Sequence, residues 1–293
     1  MRSPFSQTHK QLTQTLDRPA LRSLGFRFAI ALLVFVCLAP ILWQCLTSVK
    51  VNADIAALPN VYLPKRFTFA HYTELFTRRP FWSYLINSAI VAVSSTGLAL
   101  GLGAPAAYAL ARLKLPGERF ILGMILIVTL FPYILLFFGL LEIVQKLGWG
   151  NQYLALIVPY TAINLPLTIL VLRSFFLQLP HELEDAARVD GYGTLAMFWQ
   201  IILPMTTPAL VTTGILTFIF AWNEFIFALT FITQESLKTI PIAASQIGGA
   251  SVFEIPYGPI AAATVLGTFP LVILVLLFQR RIIGGLTTGA VKG

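Results

Sequence analysis

HELEDAARVDGYG, residues 181–193, is the most polar stretch of a chain that is otherwise strongly apolar. Four of its thirteen residues are acidic (Glu182, Glu184, Asp185 and Asp190), against 12 Asp and Glu in all 293 residues. Apolar runs of membrane-spanning length lie on either side of it. The pattern predicts a short, water-facing helix. Pro180 suits the first helical position, early acids complement the helix dipole, and Glu184 with Arg188 forms an i,i+4 pair. Gly191 is placed to end the helix as its C-terminal cap. A second short helix is expected beyond it, capped by Thr194 and turning Leu195, Phe198, Trp199 and Ile202 to one face before Pro204. An acidic helix is a poor fit to a negatively charged inner leaflet, so a protein partner is the expected neighbour. Ala186 and Ala187 give that partner a small-residue face to approach, and the acidic flank gives it charge to complement.

The surrounding composition sets the class. Hydrophobic residues make up 57 %, charged residues 11 %, and the mean hydropathy is +0.81, values of a chain solvated by lipid. Crossing about 30 Å of hydrocarbon takes roughly 20 apolar residues. Six runs qualify, near residues 24–46, 84–110, 120–141, 153–172, 205–231 and 259–278. Pro40, Pro105, Pro132, Pro159, Pro166, Pro208 and Pro270 fall in or near them, so kinked helices are expected. The fold class is therefore all-α and polytopic, with six transmembrane helices. In the second span, Gly97, Gly101, Ala104 and Tyr108 recur at helical spacing, and Gly97-x-x-x-Gly101 reads as a close-packing face. Ala261, Ala262, Thr264 and Gly267 give the last span a similar face.

Charge fixes the orientation. Thirteen Lys and Arg lie in the two tails and the second and fourth loops, and seven lie on the other side. By the positive-inside rule both termini face the cytoplasm. The net charge of +8 thus marks topology; without a dense basic patch or motif, no nucleic-acid partner is expected. The first apolar run is too long for a cleaved signal peptide and is expected to remain as an anchor. Cys37 and Cys45 are eight residues apart in one run, roughly 12 Å along a helix, which is beyond disulfide reach.

Catalytic signatures are absent from the sequence. GGLTTGAVKG at the C-terminus lacks the Gly-Lys-Ser/Thr ending of a P-loop, so the chain is not expected to hydrolyse ATP or to carry a cofactor. His9, His71 and His181 lie in three separate loops, which leaves no metal or catalytic constellation to expect. Glu224, in AWNEFIF, is the one ionisable residue clearly inside an apolar run, where a carboxylate costs roughly 2.5–3.5 kcal/mol. Trp222, Asn223 and Glu224 read either as a polar turn at the outer interface or as part of a substrate path or gate.

Asp185-Ala186-Ala187-x-x-Asp190-Gly191, followed by Ile202-Leu203-Pro204, resembles the EAA loop of the membrane subunits of bacterial ATP-binding-cassette importers. Asp185 stands where that family usually has Glu, with Glu184 just before it. LPKRFTFAHYTELF (63–76), AWNEF and RRIIGGLTTGAVKG (280–293) narrow the resemblance to sugar permeases of the maltose type, in particular to the second permease subunit. It covers the chain from about residue 24 to 293. The resemblance implies a type I importer permease fold with a cytoplasmic tail at 1–23, a permease domain at 24–283 with its coupling loop at 180–204, and a second tail at 284–293. It further implies a second, homologous permease as heterodimer partner, a cytoplasmic ATPase dimer that binds the ATP, and an extracytoplasmic solute-binding protein. Glu184, Asp185, Ala186, Ala187, Asp190, Gly191, Leu203 and Pro204 would couple to the ATPase. Gly284, Gly285, Thr287, Gly289, Lys292 and Gly293 would reach it through the tail. A self-contained secondary carrier is the alternative; it would be expected to show internal repeats and several buried charges.

Overall fold

The computed structural model describes residues 18–248 and 255–290, with side chains over 25–248 and 255–279. In lipid every backbone polar group must be satisfied within its own segment, so these apolar runs fold as helices. In chain order they are α1 (Arg18–Ser48), α2 (Asn52–Ile55), α3 (Ala70–Arg78), α4 (Phe81–Arg112), α5 (Glu118–Leu130), α6 (Phe137–Lys146), α7 (Leu154–Phe176), α8 (Glu182–Val189), α9 (Thr194–Met197), α10 (Leu203–Met205), α11 (Thr207–Asn223), α12 (Ile226–Phe231), α13 (Ile240–Ser245) and α14 (Tyr257–Ala290). Short 3-10 turns occupy Tyr133–Leu136 and Glu235–Leu237, and a π-turn at Phe198–Ile202 joins α9 to α10. An isolated bridge between Lys50 and Phe67 is the only β-type pairing among the described residues.

Among the described residues four helices are long and apolar enough to cross a membrane, or up to six if each of two bent pairs is one span. The third run is therefore broken, where the sequence predicts a continuous, kinked helix, and the second bend falls at the start of the fifth run. The third bends by 91° between Leu130 and Tyr133. Pro132 accounts for it, because its ring bars the preceding residue from helical geometry, and Phe131 is accordingly extended with ψ 130°. The segment Thr194–Met205 meets α11 at 77°. There Pro208 has no N–H for the carbonyl of Pro204, and the Thr207 hydroxyl donates to that oxygen instead at 2.6 Å. Thr206 is buried at the corner, its hydroxyl donating to the carbonyls of Ile202 and Leu203, both at 3.0 Å. By contrast Pro40, Pro105, Pro159, Pro166 and Pro270 lie inside unbroken helices.

The core forms where α4 lies along α7, with α11 against both and α14 behind α11. Close approach of α4 and α7 occurs at Gly103, where an added Cβ would stand 2.6 Å from Thr168 Cγ2. Ala92, Ala99, Ala104 and Ala107 continue the buried face. Gly97 and Gly101 are exposed, and a Cβ added at either would meet no atom within 4 Å, so these two glycines do not mediate close helix approach within this chain. In α14, Ala261, Ala262 and Gly267 pack inward as expected, whereas Thr264 is exposed.

Two polar clusters lie toward opposite ends of α4, around Asn87 and around Arg112, roughly 38 Å apart at helical rise. At the Phe81 end, Asn87 donates to the carbonyls of Ser236 and Lys238 at 2.8 and 2.9 Å, and Ser88 accepts from Ile240 N–H at 2.9 Å. The Glu235 carboxyl lies below the usual carboxylate range because Lys238 and then Tyr84 hydrogen-bond its charged form. Asn151 holds the same loop from the start of α7, accepting from the Thr233 and Gln234 N–H groups at 2.7 and 2.8 Å. The other cluster contains α8.

Candidate functional site

α8 is eight residues long and carries three acids in its first turn. His181, not Pro180, immediately precedes it, and its carbonyl takes the N–H groups of Glu184 and Asp185 at 3.0 and 3.1 Å. Pro180 thus directs the chain into the helix from outside it. The end follows the predicted chemistry. Gly191 has φ +87°, Tyr192 N–H reaches back to the Ala187 carbonyl at 2.9 Å, and Gly191 N–H reaches Arg188 at 3.0 Å. Those bonds close the last turn, and a residue with a Cβ is strained at that φ.

The two alanines face opposite ways, where the sequence reading joined them in one face. Ala187 is buried against the spans, whereas Ala186 is exposed together with Glu182, Asp185, Val189 and Asp190. Val189 is 88 % exposed, an apolar residue set among acids on the outer face. Sequence reasoning did not single it out.

Beyond Gly191 the cap at Thr194 does not form. Gly193 is the N-cap, Thr194 is the first helical residue, and its side chain makes no cap bond. The π-turn alters the helical phase, so Met197, Phe198 and Ile202 are buried while Leu195 and Trp199 are exposed. Phe198 packs on Tyr108 with ring centroids 5.1 Å apart, and Tyr108 meets Phe176 edge-on at 5.7 Å. Leu203 is half-buried and Pro204 exposed, just before the corner at Thr206.

Glu184 shows where the sequence left out a partner. Its side chain is 5 % exposed and its Oε1 lies 3.3 Å from Nε of Arg112, itself 1 % exposed at the end of α4. The predicted i,i+4 partner, Arg188, stands farther off at 3.8 Å and mainly serves Asp185 at 3.2 Å. The 3.3 Å contact is an ion pair without hydrogen-bond alignment, since Oε1 has no hydrogen-bond partner. Arg112 spends its donors elsewhere: Nη2 and Nε on the Phe176 carbonyl at 2.6 and 3.1 Å, and Nη2 also on the Leu179 carbonyl. Phe176 ends α7 and Leu179 lies in the turn beyond it, so the cation sits at the negative end of that helix. In the sequence Arg112 is marked only as one of the cytoplasmic-side charges that set topology.

The residues of AWNEF lie far from α8, at the other end of α11. Glu224 is 6 % exposed, not placed at an open interface. Its Oε1 accepts from the N–H groups of Ile226 and Phe227 at 2.8 and 3.0 Å, and its Oε2 accepts from Ala228 at 3.2 Å and from the Tyr160 hydroxyl. The carboxylate caps α12, a negative charge against a helix N-terminus, which accounts for its tolerated burial. The fifth span is thereby interrupted at Glu224, in extended geometry with ψ 132°, instead of running on to Phe231. Trp222 is buried, its indole N–H donating to the Gly267 carbonyl at 3.0 Å. Asn223 alone of the three is exposed.

Gly284, Gly285, Thr287 and Gly289 continue the helical backbone of α14, while Lys292 and Gly293 lie outside the described residues.

Residues 78–285 match the family described as binding-protein-dependent transport system inner membrane component. The chain belongs to this family. The permease is 41 % identical over 262 residues to the trehalose transport system permease protein SugB of Mycobacterium tuberculosis, covering 89 % of this chain and 95 % of that protein. It is 39 % identical over 264 residues to the trehalose/maltose transport system permease protein MalG of Thermococcus litoralis, covering 89 % and 94 %. A crystal structure of a bacterial ABC transporter involved in the import of the acidic polysaccharide alginate has the same fold. The TM-score is 0.76 over 95 % of this chain and 99 % of that chain, at 20 % identity. The permease is accordingly a multi-pass membrane transport protein of the sugar ABC importer family, with a type I importer fold, and not an enzyme.

Proposed function

We propose that this permease forms half of the translocation path of an ATP-driven importer in a bacterial cytoplasmic membrane, carrying a sugar, oligosaccharide or glycoside inward. A second, homologous permease supplies the other half, an extracytoplasmic binding protein delivers the solute, and a cytoplasmic ATPase dimer binds the ATP. The observation that carries the coupling is the two-sidedness of α8. Glu184 and Ala187 face the spans, while Glu182, Asp185, Ala186, Val189 and Asp190 face outward. Such a face fits a cleft that offers positive charge around an apolar floor, with Ala186 permitting close approach and Val189 entering the floor. Gly191, Leu203 and Pro204 set the angle at which the docking segment meets α11. The tail through Gly284, Gly285, Thr287, Gly289, Lys292 and Gly293 provides a second contact with the same ATPase. On the other side of the membrane, the break held by Glu224 leaves Asn223 open toward the solute, beside the buried Trp222.

Co-purification from the native host, followed by reconstitution in vesicles, tests this reading. The permease is expected to bring with it a second permease and an ATPase, and uptake is expected to require both ATP and a loaded binding protein. Uptake by the chain alone, without ATP, would instead establish a secondary carrier.

A further inference from the structure

Most of α8 is exposed, and Ala187, a single methyl group, is its only fully buried apolar side chain. Something other than apolar area must fix its direction. We propose that Arg112 is a positioning residue that locks the docking helix to the ends of α4 and α7, so that the three move as one body when the ATPase dimer closes. The proposal rests on the reading of α8 as the ATPase contact. Arg112 is the last residue of α4, so its backbone reports the position of that span. Its guanidinium holds the last carbonyl of α7, at Phe176, and that of Leu179 in the turn beyond, and its Nη1 lies 2.9 and 3.0 Å from the ring nitrogens of His181 in the same turn. Its charge also faces Glu184 on α8 at 3.3 Å, with both side chains shielded from water. Tyr108, one turn back along α4, has a buried hydroxyl that faces the same carboxylate. One planar cation thus joins two spans, a turn and the docking helix. Lysine, a single point of charge on a flexible stem, cannot hold so many acceptors at once. The docking face itself includes no part of this lock.

The test uses the full complex, purified with Arg112→Met, Arg112→Lys or the near-isosteric Glu184→Gln, at equal content of ATPase subunit. ATPase retention is expected to be normal in all three. Binding-protein-stimulated hydrolysis, relative to basal hydrolysis, is expected to fall at least about tenfold in Arg112→Met and several-fold in Arg112→Lys and Glu184→Gln, with uptake falling in step. A purely structural role would lower the amount of complex and leave the stimulated-to-basal ratio of what remains unchanged. That outcome, or an unchanged ratio in a fully assembled Arg112→Met complex, would overturn the proposal. Should Arg112→Met fail to assemble, Glu184→Gln decides by the same ratio. A wild-type complex with no ATPase subunit would sink the underlying reading, and the lock with it.

Discussion

Gly191→Val is expected to leave the permease inserted and folded while reducing ATP-driven uptake by roughly 5- to 30-fold. No neighbour lies within 4 Å of a Cβ built at this position, so the substitution meets no clash. The cost lies in the backbone: φ is +87°, a region that costs an L-residue about 1–2 kcal/mol and is worst for a β-branched one. A penalty of that size shifts a two-state population by about 5- to 30-fold. It falls on the turn that sets α8 against the segment leading to α11. Asparagine tolerates left-handed geometry far better, so Gly191→Asn is expected to retain most of the uptake. Vesicle uptake at matched protein level reads both variants. Equal activities of Gly191→Val and wild type would remove the hinge from the coupling account.

Glu224→Ala is expected to lower stability in detergent by about 3 kcal/mol or more, because three N–H groups and one phenol lose their acceptor in a site shielded from water. The wild-type bonds are those to Ile226, Phe227, Ala228 and Tyr160. Glu224→Gln keeps one acceptor oxygen and is expected to cost about 1–2 kcal/mol, since charge-assisted bonds to a helix N-terminus weaken on neutralisation. Uptake is expected to follow, because α12 and the loop it feeds depend on the cap. Thermal unfolding of the purified permease measures the first effect and vesicle uptake the second. A Glu224→Ala protein as stable as wild type would mean that the capping geometry contributes nothing.

What the sequence disclosed follows from the range of the interactions involved. α8 was legible because its determinants are local: acids near the start, a glycine at the end and polar residues between apolar runs. The membrane-spanning character of the chain was legible because hydropathy is a property of each segment alone. Glu184 was placed beside Arg188, since an i,i+4 neighbour can be read along one helix. Its shielded partner, Arg112, comes from another span and carries no local mark. Ala186 and Ala187 could not be told apart until the spans showed which side of α8 they cover. The π-turn at Phe198–Ile202 likewise defeated a 3.6-residue period. Glu224 stood out as a buried charge in the sequence, yet its cause is a break in the helix that an apolar run of constant hydropathy does not display. Gly97 and Gly101 match a packing motif, but the contact is made by Gly103, whose only distinction is the position of Thr168.

The central claim is that the outer face of α8 meets the ATPase. Cys37 and Cys45 are both free, so a cysteine-less background can be made by replacing them. A single cysteine is then introduced at Val189, which is 88 % exposed, and paired with cysteines around the cleft of the co-purified ATPase. The account predicts an oxidative cross-link between the two subunits and the loss of ATP-driven uptake on cross-linking, with recovery on reduction. Failure of Val189→Cys to cross-link to any position on an ATPase that remains bound, with uptake unaffected by thiol modification there, would contradict it.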